Sequence, residues 1–240
     1  MKEKIYTIPV NEAYDTDCEC PLCFLEKQLE TEAVDYALGA AMMEPDYRVE
    51  SNEIGYCNKH FSQMFSRPNK LALALVLDTH LEEIRKKLKK HEKSMKSPSK
   101  TSIFKKKSEK ALAVTAELDK IEGGCMVCKK INATMERYID VLLYMWAKEE
   151  GFKNKFDKSK GVCLKHLNML IQGAPKSLDD KNSSEFIASL YQKELSELER
   201  IQEDIHKFTL KFDYRNADME WGTAKDAPIR TIEKIVGNCD

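Results

Sequence analysis

The chain has 240 residues, of which 42% are hydrophobic and 33% charged, and its formal net charge is −1 at pH 7. This balance excludes a global attraction to nucleic acid or to an anionic membrane. No window approaches the roughly 18 consecutive apolar residues that a membrane span requires.

Helix-forming residues dominate the chain, which contains only 9 Gly and 7 Pro. Apolar positions at helical spacing predict helices over residues 24–43, 70–91, 131–148, 184–211 and 226–237. Ser183 or Ser184 can cap the fourth of these helices. In the fifth, Pro228 fits the first turn and Gly237 the C-terminal stop. Because no segment alternates polar and apolar residues as a strand does, the sequence predicts an all-α protein.

The segment 89–110, KKHEKSMKSPSKTSIFKKKSEK, is rich in Lys and Ser. This composition is typical of a linker or an exposed loop, and it divides the chain into residues 1–93, a linker over 94–110, and residues 111–240. An alternative interpretation is an arm that makes weak contact with the phosphates of nucleic acid. The run lacks interleaved aromatic residues apart from Phe104, which favours the linker.

Two segments place glycine, cysteine, lysine and histidine at the same offsets: GYCNKHF at 55–61 and GVCLKHL at 161–167. Each follows a Cys-x-x-Cys pair, CPLC at 20–23 and CMVC at 125–128. The offset between the copies is 105 residues for Cys20 and Cys125 and 106 for Cys57 and Cys163. A long predicted helix follows each copy. This agreement predicts a duplicated helical unit.

The doubled cysteine pattern has the spacing of metal ligands. Two residues between ligands let both side chains converge on one ion, and three thiolates with one imidazole are a usual set for structural zinc. We therefore predict two Zn²⁺ sites, one inside each repeat, with these ligands: Cys20, Cys23, Cys57 and His60 in the first, and Cys125, Cys128, Cys163 and His166 in the second. Gly55 and Gly161 allow a tight turn before the third ligand.

Other uses of the cysteines stay open to different degrees. A Cys-x-x-Cys pair at a helix N-terminus supports disulfide exchange, but that interpretation leaves the Cys-x-x-His pairs unexplained. An iron–sulfur cluster can use three cysteines and one histidine. Haem attachment is excluded, because Phe24 and Lys129 follow the second cysteines where His is required. Duplicated spacing disfavours unmetallated, buried cysteines.

The remaining cysteines and histidines fall outside the pattern. Cys18 has no counterpart in the second copy and Cys239 is next to the last residue, so we expect both to be free thiols, with Cys18 as an alternative ligand in place of a neighbouring cysteine. His80, His91 and His206 have no ligand partner at a useful spacing, and we predict that they are surface or interface residues.

The predicted coordination argues against catalysis by the metal. Four protein ligands close the shell of zinc and leave no bound water to activate. Nucleophile elbows, phosphate-binding loops and His-Glu-x-x-His motifs are absent from the sequence. We therefore predict a binding or regulatory module whose partner is a protein, another ligand or nucleic acid. The alternatives are a thiol-redox or metal-responsive protein, and an enzyme with an active site between the repeats.

The N-terminal segment MKEKIYTIPVNEAYD lacks the apolar core of a signal peptide. We therefore expect a cytoplasmic protein, where thiols stay reduced. In that compartment the 8 cysteines are metal ligands or reactive thiols rather than a disulfide framework.

The motifs CPLC, GYCNKH, CMVC and GVCLKH, together with the tail KFDYRN…KDAPIRTIEKIVG, resemble an uncharacterised bacterial family. Its members are small cytosolic proteins, mostly from Gram-positive anaerobes, that are defined only as a domain of unknown function. Some carry a label as transporter substrate-binding proteins, which the expected absence of a signal peptide contradicts. The resemblance covers nearly the whole chain, and all eight predicted ligands match it. It supports metal binding and implies no activity.

Overall fold

The computed structural model describes residues 4–96, 103–216 and 218–237. These residues form helices and no strand, which confirms the predicted all-α fold. In this part of the chain, no helix is both long and apolar enough to cross a membrane. The α-helices are α1 (Thr7–Asp15), α2 (Pro21–Leu38), α3 (Pro45–Ile54), α4 (Asn58–Ser66), α5 (Lys70–Lys96), α6 (Ile103–Gly123), α7 (Met126–Lys148), α8 (Glu150–Lys158), α9 (Leu164–Ser177), α10 (Asp180–Leu210) and α11 (Ala227–Val236).

The long helices lie where the apolar pattern predicts them, with different ends. The helix predicted over 184–211 begins at Asp180, because the Asp179 side chain accepts a hydrogen bond from the backbone N–H of Asn182. This cap replaces the predicted Ser183 or Ser184. The α11 helix has Pro228 in its first turn and ends at Gly237, whose φ of 94° permits the stop.

The Lys- and Ser-rich segment is partly helical. Residues 89–96 continue α5 and residues 103–110 open α6, while residues 97–102 lie outside the described part of the chain. Lysine is a good helix former, and a Lys-rich composition is therefore compatible with the helical ends of this segment. The proposed roles of the segment as a linker and as a nucleic-acid contact stay predictions.

The chain divides into two compact units. The first unit consists of Met1–Leu29 and Ala133–Asp240, and the second unit is Glu30–Asn132. Both boundaries fall inside helices, α2 and α7. The N-terminal segment belongs to the same unit as the C-terminal half of the chain, and the predicted division at residues 93 and 110 stays a prediction.

The core of the first unit is aromatic. Phe156 and Phe186 are fully buried, with ring centroids 5.7 Å apart. The Trp146 ring meets Phe186 edge-on at 5.1 Å, and the Tyr14 ring of α1 meets Phe152 of α8 at 5.1 Å. Aromatic pairs in this geometry add to the free energy of burial. They hold α1, α7, α8 and α10 around the segments that carry the cysteines.

In the second unit, α3 packs against α5. Arg48 of α3 donates hydrogen bonds to the carbonyl oxygen of Leu75 at 3.2 Å and to the hydroxyl of Thr79 at 2.7 Å. The ring of His80, also on α5, bonds through Nδ1 to the carbonyl oxygen of Asn52 at 2.8 Å. His80 is buried, so of the two predicted alternatives, a surface or an interface residue, the surface position does not apply. These contacts position the turn at Gly55, which precedes the third ligand.

Candidate metal centres

The eight predicted ligands gather into two groups of four. In each group, one ligand atom from every residue lies within 4.8 Å of the other three. The first cluster lies in the first unit and consists of Cys20, Cys23, Cys163 and His166. The second cluster lies in the second unit and consists of Cys57, His60, Cys125 and Cys128.

This arrangement corrects the prediction that both ligand pairs of one repeat bind the same ion. Each Cys-x-x-Cys pair meets the Cys-x-x-His pair of the other copy rather than its own. The helices explain the exchange. The α2 helix begins at the first Cys-x-x-Cys in the first unit and ends in the second unit, and α7 runs in the opposite sense. A pair of ligands and the next pair along the chain therefore fall in different units.

Each Cys-x-x-Cys pair sits at the start of a helix. The backbone N–H of Cys23 donates to Sγ of Cys20 at 3.4 Å, where Pro21 opens α2. The backbone N–H of Cys128 donates to Sγ of Cys125 at the same distance, 3.4 Å. Unpaired N–H groups and the positive end of the helix dipole favour negative charge at this position. The helix starts therefore favour the thiolate form of these cysteines, against the cost of burial described below.

Each Cys-x-x-His pair follows a glycine with positive φ, 79° at Gly55 and 74° at Gly161. The cysteine two residues later is the N-cap of the next helix, and the histidine lies one turn inside that helix. A Cβ on Gly55 would lie 2.6 Å from ring atoms of His80, and one on Gly161 would lie 2.2 Å from Oε1 of Glu194. Glycine is required here by both the backbone conformation and the available space.

The spacing in the first cluster fits one tetrahedral ion. Nδ1 of His166 lies 3.2 Å from Sγ of Cys163 and 3.4 Å from Sγ of both Cys20 and Cys23. The sulfurs of Cys23 and Cys163 are 3.5 Å apart. A tetrahedron with Zn–S bonds of ~2.3 Å places its sulfurs roughly 3.8 Å apart. The cluster is therefore close to the size of a zinc shell.

The second cluster has the same geometry. Nδ1 of His60 lies 3.1 Å from Sγ of Cys125, 3.2 Å from Sγ of Cys57 and 3.4 Å from Sγ of Cys128. The sulfurs of Cys57 and Cys128 are 4.0 Å apart. All the cysteines that the structure describes are free thiols, and these separations are far longer than the ~2.05 Å of a disulfide.

A carboxylate contacts the other ring nitrogen of each histidine. Nε2 of His60 is hydrogen-bonded to Oε1 of Glu30 at 3.0 Å. Nε2 of His166 lies 3.4 Å from Oε2 of Glu26, within ion-pair distance but without a hydrogen bond. A nearby lysine completes each arrangement: Lys59 lies 2.7 Å from Glu30, and Lys165 lies 2.5 Å from Glu26. Metal-bound histidines commonly donate to such a carboxylate, which fixes the ring and the nitrogen that faces the metal.

The pKa values of the thiols differ in direction within each cluster, so the thiols of one cluster do not ionise alike. Burial raises the pKa of Cys20 well above its usual value. Hydrogen bonds from Cys20 and Cys23 lower the pKa of Cys163. In the second cluster, burial opposes ionisation of Cys125, but its hydrogen bond with His60 brings the pKa down to about 6. Burial and the neighbouring Cys125 raise the pKa of Cys128 to about 12. A bound cation is needed to hold all three thiols of a cluster as thiolates.

Several charged residues near the clusters were not predicted: Glu26 is half-buried, and Glu30, Glu194 and Lys234 are buried. Glu26 and Glu30 lie on α2, shortly after the first Cys-x-x-Cys pair. A carboxylate within two turns of such a pair is a sequence feature that could have indicated a contact with a ligand histidine. Glu194 and Lys234 are buried in the first unit and lie 3.2 Å apart. Nothing in the local sequence distinguishes either from an exposed helical residue. Cys18 is half-buried and outside both clusters, and Cys239 lies outside the described residues.

Comparison with known proteins places the chain in a family without giving it a relative of known role. No curated protein matches the chain, and no solved structure matches it. The family match extends over the whole sequence. The crossed clusters account for the Cys-x-x-Cys and Cys-x-x-His motifs of this chain. The chain belongs to a family of unknown function, DUF6062, whose sequence model matches residues 1–240.

Proposed function

We propose that the protein binds two Zn²⁺ ions, one in each cluster, and that these ions stabilise a cytoplasmic binding or regulatory module. One observation carries the proposal: three sulfurs and one imidazole nitrogen converge within 4.8 Å in both units. Zinc is the ion most often bound by this ligand set. An iron–sulfur cluster contains several irons and sulfides, and separations of 3.1 to 4.0 Å favour a single ion instead.

The role of the ions is structural. Four protein ligands close the tetrahedron, so no position is left for a reactive water. Binding stabilises the folded state because the unfolded chain has no preformed site, and structural zinc in small peptides contributes roughly 10–16 kcal/mol of apparent free energy. The first cluster joins Cys23 to Cys163 across 140 residues, so its ion ties the N-terminal segment to the C-terminal half.

The partner of the module is a protein, a small ligand or, through the Lys-rich segment 89–110, nucleic acid. If this segment binds phosphates, the affinity will fall steeply as salt rises, because binding releases condensed counterions. Salt-independent binding would exclude the nucleic-acid contact.

A thiol-redox or metal-responsive role is the second candidate. Cys57 and Cys128 in the second cluster are only partly buried, and their sulfurs are 4.0 Å apart. Accessible thiols with a neighbouring thiol are the type that oxidises reversibly. This feature favours a response at the second cluster over one at the first.

Elemental analysis combined with thiol titration tests both candidates. The full chain is purified without added metal, and zinc, iron and sulfide are measured per chain. Two zinc ions, with ligand thiols that react only after chelation, support the structural role. Labile metal with reversible oxidation supports the second candidate. A metal-free, folded protein contradicts the structural role of zinc, and iron with sulfide contradicts zinc as the ion.

A further inference from the structure

The two clusters differ in how far solvent reaches them. In the first cluster all four ligands are buried, and Cys163 and His166 have no exposed surface at all. In the second cluster His60 and Cys125 are buried, but Cys57 and Cys128 are partly exposed. The ligand set is the same in both, so the difference comes from what covers the sulfurs.

The C-terminal helix covers the first cluster. Gly237 ends α11, and a Cβ built on it would lie 3.3 Å from Sγ of Cys23 and 3.8 Å from Sγ of Cys163. The backbone at the end of α11 therefore packs directly against two of the four ligands. The positive φ of Gly237, 94°, allows the chain to turn at this point without a side chain that would displace the sulfurs.

A buried lysine anchors this helix. Lys234 is 0% exposed, and its Nζ lies 3.2 Å from Oε2 of Glu194. It also donates to the carbonyl oxygens of Lys160 and of Glu19, the latter at 3.5 Å. Glu19 directly precedes Cys20, and Lys160 directly precedes Gly161. Lys234 thus joins α11 to both segments that supply the ligands of the first cluster.

The second cluster is held together differently, and two of its ligands, Cys57 and Cys128, stay partly exposed. Its two ligand segments are joined directly, by a hydrogen bond of 3.0 Å from the backbone N–H of Met126 to the carbonyl oxygen of Gly55. The ring of His80 fills the space beside Gly55, as the carboxylate of Glu194 does beside Gly161. Cys57 and Cys128 keep part of their surface exposed, whereas all four ligands of the first cluster, including the two beside the end of α11, are buried.

We propose that the second cluster is a metal-exchange site, at which thiophilic divalent ions such as Zn²⁺ and Cd²⁺ pass to and from external thiolate or chelating ligands, while the first cluster retains its ion. The proposal rests on zinc binding as proposed above. The step is ligand substitution: an incoming thiolate bonds to the ion as Sγ of Cys57 or Cys128 leaves as a thiolate. No electron is transferred. At the first cluster, the same step first requires α11 to open, and local opening has a free-energy cost.

Zinc release from the full chain tests the proposal. The chain with two zinc ions is mixed with an excess of a chromogenic chelator, and samples are alkylated with N-ethylmaleimide and mapped by mass spectrometry. We expect two phases of equal amplitude. The rate constant of zinc release in the fast phase should exceed that in the slow phase at least about tenfold, which corresponds to about 1.4 kcal/mol. Alkylation should reach Cys57 and Cys128 in the fast phase. A single phase, or earlier alkylation of Cys20 and Cys23, overturns the proposal.

Variants assign the phases. Cys57→Ser/Cys128→Ser should remove the fast phase and retain the slow one. Lys234→Met should accelerate the slow phase and leave the fast phase unchanged, whereas Lys225→Met, at an exposed position just before α11, should change neither. A slow phase unaltered in folded Lys234→Met contradicts the role of α11. If that variant does not fold, the alkylation order in the unmodified chain still decides. A starting content below two zinc ions contradicts the proposed function itself, whereas two ions with equal rates contradict only this inference.

Discussion

The Sγ atoms of Cys23 and Cys163 lie 3.5 Å apart, although 140 residues separate them in the chain. Cys23 lies in the first turn of α2, and Cys163 is the N-cap of α9. The Cys-x-x-His pair that follows Cys23 in the sequence belongs to the other unit. The metal sites are therefore formed between distant segments, and this crossed pairing has a direct experimental consequence.

Paired cysteine variants should reveal which residues share an ion. We expect Cys23→Ser/Cys163→Ser to retain one zinc ion per chain, because both changes fall in one cluster. Cys23→Ser/Cys57→Ser should retain none, because each change removes a ligand from a different cluster. Zinc is counted by elemental analysis after gel filtration without a chelator. The reverse outcome, one ion in the second variant and none in the first, would restore the grouping within each repeat.

The carboxylates beside the histidines should control affinity one site at a time. We expect Glu30→Gln to weaken zinc binding at the second cluster about 10- to 100-fold, because His60 loses a charged acceptor that orients its ring. Glu26→Gln should have the corresponding effect at the first cluster. Competition with a chelator of known affinity measures both constants. Glu32→Gln, an exposed position on the same helix, serves as the control, and an equal loss in that variant would contradict a specific role.

The glycines before the third ligand should tolerate no side chain. We expect Gly161→Ala to lower the free energy of unfolding by more than about 2 kcal/mol, since a positive φ alone costs roughly 1–2 kcal/mol for an L-residue and the new Cβ would meet Glu194. Gly55→Ala should behave alike against His80. Denaturant unfolding with saturating zinc gives the values.

Matched controls exist in both units. Nothing lies within 4 Å of a Cβ built on Gly151 in α8 or on Gly123 at the end of α6. Alanine at these positions should be neutral or stabilise by up to about 1 kcal/mol, because glycine is a poor helix former. Equal losses at all four glycines would show that the turn geometry is unimportant.

The sequence allowed the helices and the eight candidate ligands to be predicted, because amphipathic periodicity and the spacing of metal ligands are both local features. It did not allow the partners to be predicted. The two Cys-x-x-Cys pairs are chemically equivalent, so either can complete a site with Cys57 and His60. The choice is made by α2 and α7, which carry the chain from one unit to the other.

Buried charges were missed for a related reason. Lys234 lies in a helical pattern where a lysine is normally exposed, and its burial depends on Glu194 of α10 and on two carbonyl groups distant in the sequence. His80 was predicted to be a surface or interface residue, and it is buried with its ring beside a glycine that has no side chain. Long-range packing determines both environments, and residue spacing does not record it.

The pair formed by Lys234 and Glu194 gives a prediction with a definite pH dependence. Burial raises the pKa of Glu194 above its usual range, although the nearby Lys234 ammonium opposes the shift. The folded state therefore binds this proton more tightly than the unfolded chain does. The resulting stabilisation is complete below the unfolded pKa, ~4.3 for Glu, and is lost as the pH rises through the raised folded value.

Lys234→Met should extend the loss of folding stability to higher pH, because the buried carboxylate of Glu194 then has no cation beside it and its pKa rises further. At neutral pH we expect a destabilisation of about 3–5 kcal/mol, which is usual when one partner of a buried pair is removed. Lys234→Met/Glu194→Gln should recover much of it, since the amide carries no charge and its oxygen still accepts from the backbone N–H of Val162. Urea unfolding of both variants is measured with saturating zinc at several pH values. Proton competition for the metal affects both equally and cancels in the difference, which should grow as the pH rises. A difference that is constant with pH would show that the charge of Glu194 does not determine the stability of this unit.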